Sequence, residues 1–112
     1  MSATASEMPQ AVKPVRLSRA RRAAMLKALA DPRRFELLER IANAQCLGCT
    51  EARAMLPISA ATLSHHIKEL ETAGIISIRR EGKFHYMSLR PGVLESLAAS
   101  LSALAPNSCN RS

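Results

Sequence analysis

Three cysteines are the side chains in this 112-residue sequence best suited to specific chemistry. Cys46 and Cys49 stand three apart in the stretch CLGC, and Cys109 lies almost at the end of the chain. Thiols so arranged suit a structural metal site, a soft-ion site, a redox switch, or simple packing as small apolar side chains. A structural zinc needs four ligands, so Cys109 and a histidine would have to complete it. A disulfide between any two of the three requires Cα atoms within about 7 Å. An odd number of cysteines, in a chain without an export signal, argues for reduced thiols in the cytosol rather than a disulfide framework.

The remaining chemistry is cationic. Sixteen Lys and Arg against nine Asp and Glu give a formal charge of +7, and residues 1–34 carry eight basic and two acidic side chains. Such a field favours polyanions, nucleic acid first and anionic membrane second. Residues 1–16 read as a disordered basic arm: they are polar, contain two prolines and lack the apolar run of a secretory signal. No stretch approaches the 18 apolar residues of a membrane span, so a cytoplasmic protein without a membrane partner is expected. Aromatics are scarce, so the core should be built from Leu, Ile, Ala and Met.

A single domain over residues 17–105 would have to position these groups, with 106–112 as a flexible tail carrying Cys109. A first helix is predicted from Leu17 or Ser18 to Ala30, marked on one side by Arg22, Met25, Leu26 and Leu29. Asp31 and Pro32 restart the helix as cap and first helical residue, with Phe35, Leu38 and Ile41 or Ala42 as its buried stripe. Gly48 interrupts at CLGC, and Thr50 is the expected cap of a short third helix over 51–56, closed by Pro57. A fourth helix begins after Ser59, buries Leu63, Ile67 and Leu70, and ends at Gly74. IISIRR and FHYMSL then form a β-hairpin with Gly82 in its turn. After Pro91 and Gly92, Leu94, Leu97, Leu101 and Leu104 fall at spacings of three, four and three. That narrow seam suits a neighbouring helix, such as one from a partner subunit. No internal repeat is present.

The resulting fold class is mainly α with a small β-hairpin: a dimeric winged helix-turn-helix. In such units the second helix of the pair enters the major groove by its N-terminal end. Small residues open the fourth helix. Ser59, Thr62, Ser64 and His65 offer short polar groups to base edges and phosphates, and Lys68 reaches a phosphate. Arg79, Arg80 and Lys83 cluster at the hairpin tip and are assigned to the DNA backbone or minor groove. His66 adjoins the apolar face and is expected to be a packed or hydrogen-bonded structural histidine. His85 falls within a wing strand without an evident partner.

At these residues the sequence resembles a family. KALADPRRFELLERI, ATLSHHIKELETAGII and RREGKFHYMSL are similar to the ArsR/SmtB-type winged-helix repressors, over about Leu17 to Leu104. The resemblance implies a homodimer held by its first and last helices, with Leu26, Leu94, Leu97, Leu101 and Leu104 at the interface. It would bind an imperfect palindrome in double-stranded DNA, repress a promoter, and release the operator on binding an inducer. No cofactor is required.

Family members sense through different sites. One type binds zinc through Asp, His and Glu on the last helix, and here that helix has only Glu95. A second type binds arsenite or antimonite through C-x-C before the recognition helix. CLGC resembles it in place but not in spacing, and Cys46, Cys49 and Cys109 would supply the three soft thiolates that trivalent arsenic or another soft ion wants. A third type joins one cysteine near the second helix to one near the last by a disulfide or polysulfide, which Cys46 or Cys49 with Cys109 would reproduce. Arg53 and nearby arginines are candidates for lowering the thiol pKa.

Rival classes fare less well. No ordered Ser/His/Asp set, paired carboxylates or phosphate-cradling glycine loop points to an enzyme, and C-x-x-C outside a βαβ unit is poor support for a reductase. A nonspecific nucleic-acid-binding module would bind any duplex alike, whereas a repressor discriminates by roughly 10³ or more.

Overall fold

The structure, a computed structural model, describes residues 16–105. Residues 1–15 of the expected arm over 1–16, and Cys109 with the rest of the tail, lie outside the described residues. Five helices and three short strands follow in the order α1 (Arg19–Leu29), α2 (Pro32–Ala44), β1 (Leu47–Gly48), α3 (Cys49–Met55), α4 (Ala60–Thr72), β2 (Ile76–Glu81), β3 (Phe84–Leu89) and α5 (Val93–Ser102). Residues Ser18–Arg90 form one compact unit, and α5 belongs to a second. Among the described residues, no helix is long and apolar enough to cross a membrane.

Local chemistry sets most boundaries. Ser18 caps α1 by accepting from the Arg21 amide, and Asp31 caps α2 by accepting from the amides of Arg33 and Arg34 at 2.9 and 3.2 Å. Pro32 opens α2, where its missing donor costs nothing. At the end of α4, Gly74 adopts φ +81°. Its amide reaches Glu71 O, and the Ile75 amide reaches Leu70 O, both at 3.0 Å. These two bonds make a Schellman closure that needs the left-handed conformation.

The core of the first unit is aliphatic and thioether: Met25, Leu37, Ile41, Leu47, Leu70, Ile75, Ile76 and Met87 are fully buried. The buried stripe of α2 differs from the expected one. Leu37, Leu38 and Ile41 are buried, whereas Phe35 is 44% exposed. The stripe in fact starts at Arg34, one helical turn before Leu37 and Leu38. The Arg34 guanidinium is used inside the fold, donating to Ala28 O at 3.1 Å and to His66 Nδ1 at 3.3 Å. The buried stripe of α4 contains a polar residue too, since His66 is buried alongside Leu63 and Leu70. Ile67, expected in that stripe, is only half-buried. The two polar members meet, so His66 is the hydrogen-bonded structural histidine anticipated from its position.

The sheet is three-stranded rather than a simple hairpin, in the order β1-β3-β2. β2 and β3 pair antiparallel from Ile76 opposite Leu89 to Glu81 opposite Phe84. Gly82 supplies the positive φ, +61°, of a two-residue turn. The added strand lies between the two cysteines of CLGC, with Leu47 opposite Met87 and Gly48 opposite Tyr86. This pairing displaces the expected cap of α3. Gly48, not Thr50, is the residue before the helix, and its amide donates to Glu51 Oε1 at 2.9 Å.

In the second unit, α5 starts after Gly92, which has φ +83°, and buries Val93, Ser96 and Leu97. It ends at Ser102, so Leu104 stands beyond the helix that was expected to carry it, and is exposed.

Candidate nucleic-acid interface

Ser59 sets the N-terminus of α4. Its Oγ accepts from the Thr62 amide at 3.1 Å and lies 2.9 Å from Thr62 Oγ1. With the Ser59 hydroxyl donating in the second bond, the Thr62 proton stays free to point outward. Ser59 is thus committed to holding the helix end, and the outward donors of the first two turns are Thr62, Ser64, His65 and, one turn on, Lys68. All four are exposed. The opposite side of the helix is fixed by Leu63, His66 and Leu70, which are buried. An exposed polar N-terminal half on a firmly packed helix has the form a major-groove reader needs.

The wing presents two faces, because successive side chains alternate. Ile76, Ile78 and Arg80 share one face with their β3 partners Leu89, Met87 and His85. That face is apolar at its root and becomes basic toward the tip. Ser77, Arg79 and Glu81 occupy the other with Tyr86 and Phe84. There Arg79 Nε lies 2.8 Å from Glu81 Oε2 and its guanidinium stands 5.1 Å over the Tyr86 ring. Lys83 Nζ lies 5.9 Å from the Phe84 ring centre. Arg79, Arg80 and Lys83 are therefore separated: Arg80 faces α4, Lys83 is in the turn, and Arg79 lies on the far face, held by a carboxylate.

Ser64, Lys68 and Arg80 converge on one open cavity of about 340 Å³ between α3, α4 and the wing. Cys49, Arg53, Glu71 and His85 line it as well. The sequence reading did not bring these groups together. The alternation Ile78, Arg80 opposite His85 and Met87 was the available signal for the wing wall, but which side faces α4 depends on packing.

Cys46 is exposed and Cys49 is half-buried, and both are free thiols. Burial pushes the Cys49 thiol above its ordinary pKa, and the Arg80 guanidinium offsets part of that rise. The expected lowering by nearby arginines is thus outweighed by desolvation, which keeps this sulfur protonated at neutral pH. Among the described residues, no group of three or more His, Cys, Asp or Glu is placed to hold a metal ion. Of the leucines assigned to a dimer interface, Leu26, Leu101 and Leu104 are exposed, Leu94 is half-buried and Leu97 is buried.

Comparison with known proteins agrees with this geometry. Residues 29–79 match the family model for a helix-turn-helix domain. The uncharacterized HTH-type transcriptional regulator YceK of Bacillus subtilis is 33% identical over 85 residues, spanning 68% of this chain and 85% of that protein. The arsenical resistance operon repressor of Staphylococcus xylosus is 30% identical over 77 residues, spanning 69% and 73%. The fold matches the structure of an ArsR-like transcriptional regulator from Rhodococcus sp. RHA1, with a TM-score of 0.69 at 22% identity over 76% of this chain and 79% of that one. With a capped recognition helix beside a basic wing, and with relatives that are DNA-binding regulators rather than enzymes, this chain belongs to the ArsR/SmtB-type family of helix-turn-helix transcriptional repressors.

Proposed function

We propose that the chain acts as a homodimer on a palindromic operator and releases it when a soft ion, arsenite or antimonite first, binds Cys46 and Cys49 together with Cys109. Thr62, Ser64 and His65 read base edges, with Ser59 holding the helix end against the backbone. Lys68, Arg79, Arg80 and Lys83 meet phosphates or the minor groove. The observation that carries the DNA reading is the exposed row Thr62, Ser64, His65 and Lys68 on a helix whose other side is buried.

Two findings support the inducer assignment. One relative is an arsenical resistance operon repressor. The other is strand β1, which lies between the two thiols and is bonded to wing strand β3. Drawing Cys46 and Cys49 onto one ion shifts Leu47 and Gly48, and that shift passes to Met87 and Tyr86. A second reading, a thiol switch toward oxidants or sulfane sulfur, is favoured by the exposure of Cys46.

The test is fluorescence anisotropy of the reduced protein on DNA from its own upstream region, titrated separately with arsenite and an organic polysulfide. Release by arsenite under reducing conditions, lost in Cys46→Ser and Cys49→Ser, is the expected result. Release only by polysulfide selects the thiol switch. Operator binding indifferent to both refutes the cysteine sensor.

A further inference from the structure

The cavity between α3, α4 and the wing has a composition that a DNA phosphate alone does not use. Its floor is apolar, made by Leu63, Ile67 and Ile78, and its rim carries Arg53, Lys68 and Arg80 against the single carboxylate of Glu71. Ion pairs among the described residues join Arg33 to Glu36, Arg34 to Asp31 and Arg79 to Glu81, and none engages these three cations or Glu71. Three cations facing one acid leave the rim positive. At about 340 Å³ the space falls in the lower range of small-molecule sites, roughly 300–1,000 Å³, which are apolar with a few placed polar groups.

We propose that this cavity is a binding site for a small organic anion, a carboxylate or sulfonate head on an apolar body of one or two rings, and that its occupancy excludes DNA. The head sits between Arg53, Lys68 and Arg80, and the body lies over Ile67 and Ile78. Exclusion follows from shared groups, because Ser64, Lys68 and Arg80 belong both to this wall and to the DNA contacts proposed above, on which this second half of the inference rests. The partly buried Cys49 thiol forms part of the same lining as a neutral group, so it does not repel the anion. The site shares Cys49 with the thiol chemistry proposed at Cys46 and Cys49 but differs from it in ligand chemistry.

The experiment uses the reduced full-length chain and 2-naphthoate as probe. Amide shifts are followed by NMR without DNA, then operator affinity is measured by anisotropy with and without the probe. The expected result is saturable shifts centred on Ser64, Lys68, Ile78 and Arg80, with neutral 2-naphthamide and acetate giving none. Arg53→Gln should weaken naphthoate about tenfold while leaving the protein folded. A strictly competing ligand at about ten times its dissociation constant raises the apparent operator Kd about tenfold.

Shifts scattered over other surfaces overturn the site, as does an affinity untouched by Arg53→Gln. Inorganic phosphate matching naphthoate in affinity at the same amides also overturns it, because the cavity is then only a seat for the DNA backbone. Saturable naphthoate binding with undiminished operator affinity overturns the exclusion. If the chain binds the probe but no operator, the DNA reading fails and the anion site stands.

Discussion

Arg34 Nε donates to His66 Nδ1 across 3.3 Å, tying the first turn of α2 to the middle of the recognition helix. The acceptor nitrogen must be unprotonated, so the imidazole is neutral and carries its hydrogen on Nε2. Burial is the main force holding the His66 pKa below its ordinary 6.5. The Asp31 carboxylate pulls the other way, and the Arg34 guanidinium, with a smaller electrostatic effect from His65, pushes it further down.

The sign of the pH effect follows. Between the folded and unfolded pKa values the unfolded chain binds more protons, so stability is full above about 6.5 and declines as pH falls toward the lower, folded value. Asp31 is also held below its ordinary 3.8, chiefly by the Arg34 amide, and it adds a further loss only in more acid solution. Urea midpoints should therefore fall between about pH 7.5 and about pH 5.5, and His66→Gln should flatten that slope. An unchanged slope in the variant would place the proton elsewhere.

In the DNA complex proposed above, Glu81 competes with the duplex for Arg79. Both side chains are more than half exposed, so the pair contributes about 0–1 kcal/mol to folding. Glu81→Gln should leave thermal stability nearly unchanged while tightening binding to every duplex and steepening the salt dependence by about one phosphate contact. Arg79→Ala should weaken all sequences alike. A change confined to one base position would move Arg79 from backbone contact to base readout.

Ser64 and His65 are exposed and absent from the core, so replacing both with Ala should leave the melting curve intact. The operator preference, expected at roughly 10³ over random DNA, should collapse toward unity. Retained preference would mean that another element reads the bases.

Gly74→Ala should cost about 1–2 kcal/mol through the left-handed backbone alone. The new Cβ would also meet the Arg21 guanidinium, the flexible end of a long side chain that moves aside readily. The same loss is therefore expected when Arg21→Ala accompanies the change. Rescue by Arg21→Ala would show that crowding, not backbone conformation, sets the cost.

Features decided within a few residues were legible in the sequence. Asp31 with Pro32, Ser59 and Gly74 each act on amides or carbonyls two to five positions away, and Gly82 sets its own turn. Features decided by a distant partner were not. The two residues of β1 are a strand only because β3 lies beside them, and that pairing puts the cap of α3 at Gly48 instead of Thr50. Phe35 lies outside the buried stripe of α2 because that stripe is not purely apolar. Its first member is Arg34, whose charge is satisfied by groups in α1 and α4. Of the proposed DNA contacts, the α4 row follows from periodicity. The separation of Arg79 from Arg80 follows from strand alternation, which a grouping by sequence proximity overlooked.

The bonds between β1 and β3 are made by main-chain atoms, so the linkage from the 46–49 segment to the wing is indifferent to most side chains along it. Gly48 is the exception in size, since a Cβ there would stand 3.1 Å from Glu51 Oε1 and 3.6 Å from the Tyr86 ring. Such a linkage behaves as a lever with an interchangeable handle. In the proposed sensor it would register a pull on the segment whatever chemistry applied it, so flanking residues could be exchanged for new ligands while the wing and its readout stayed unchanged.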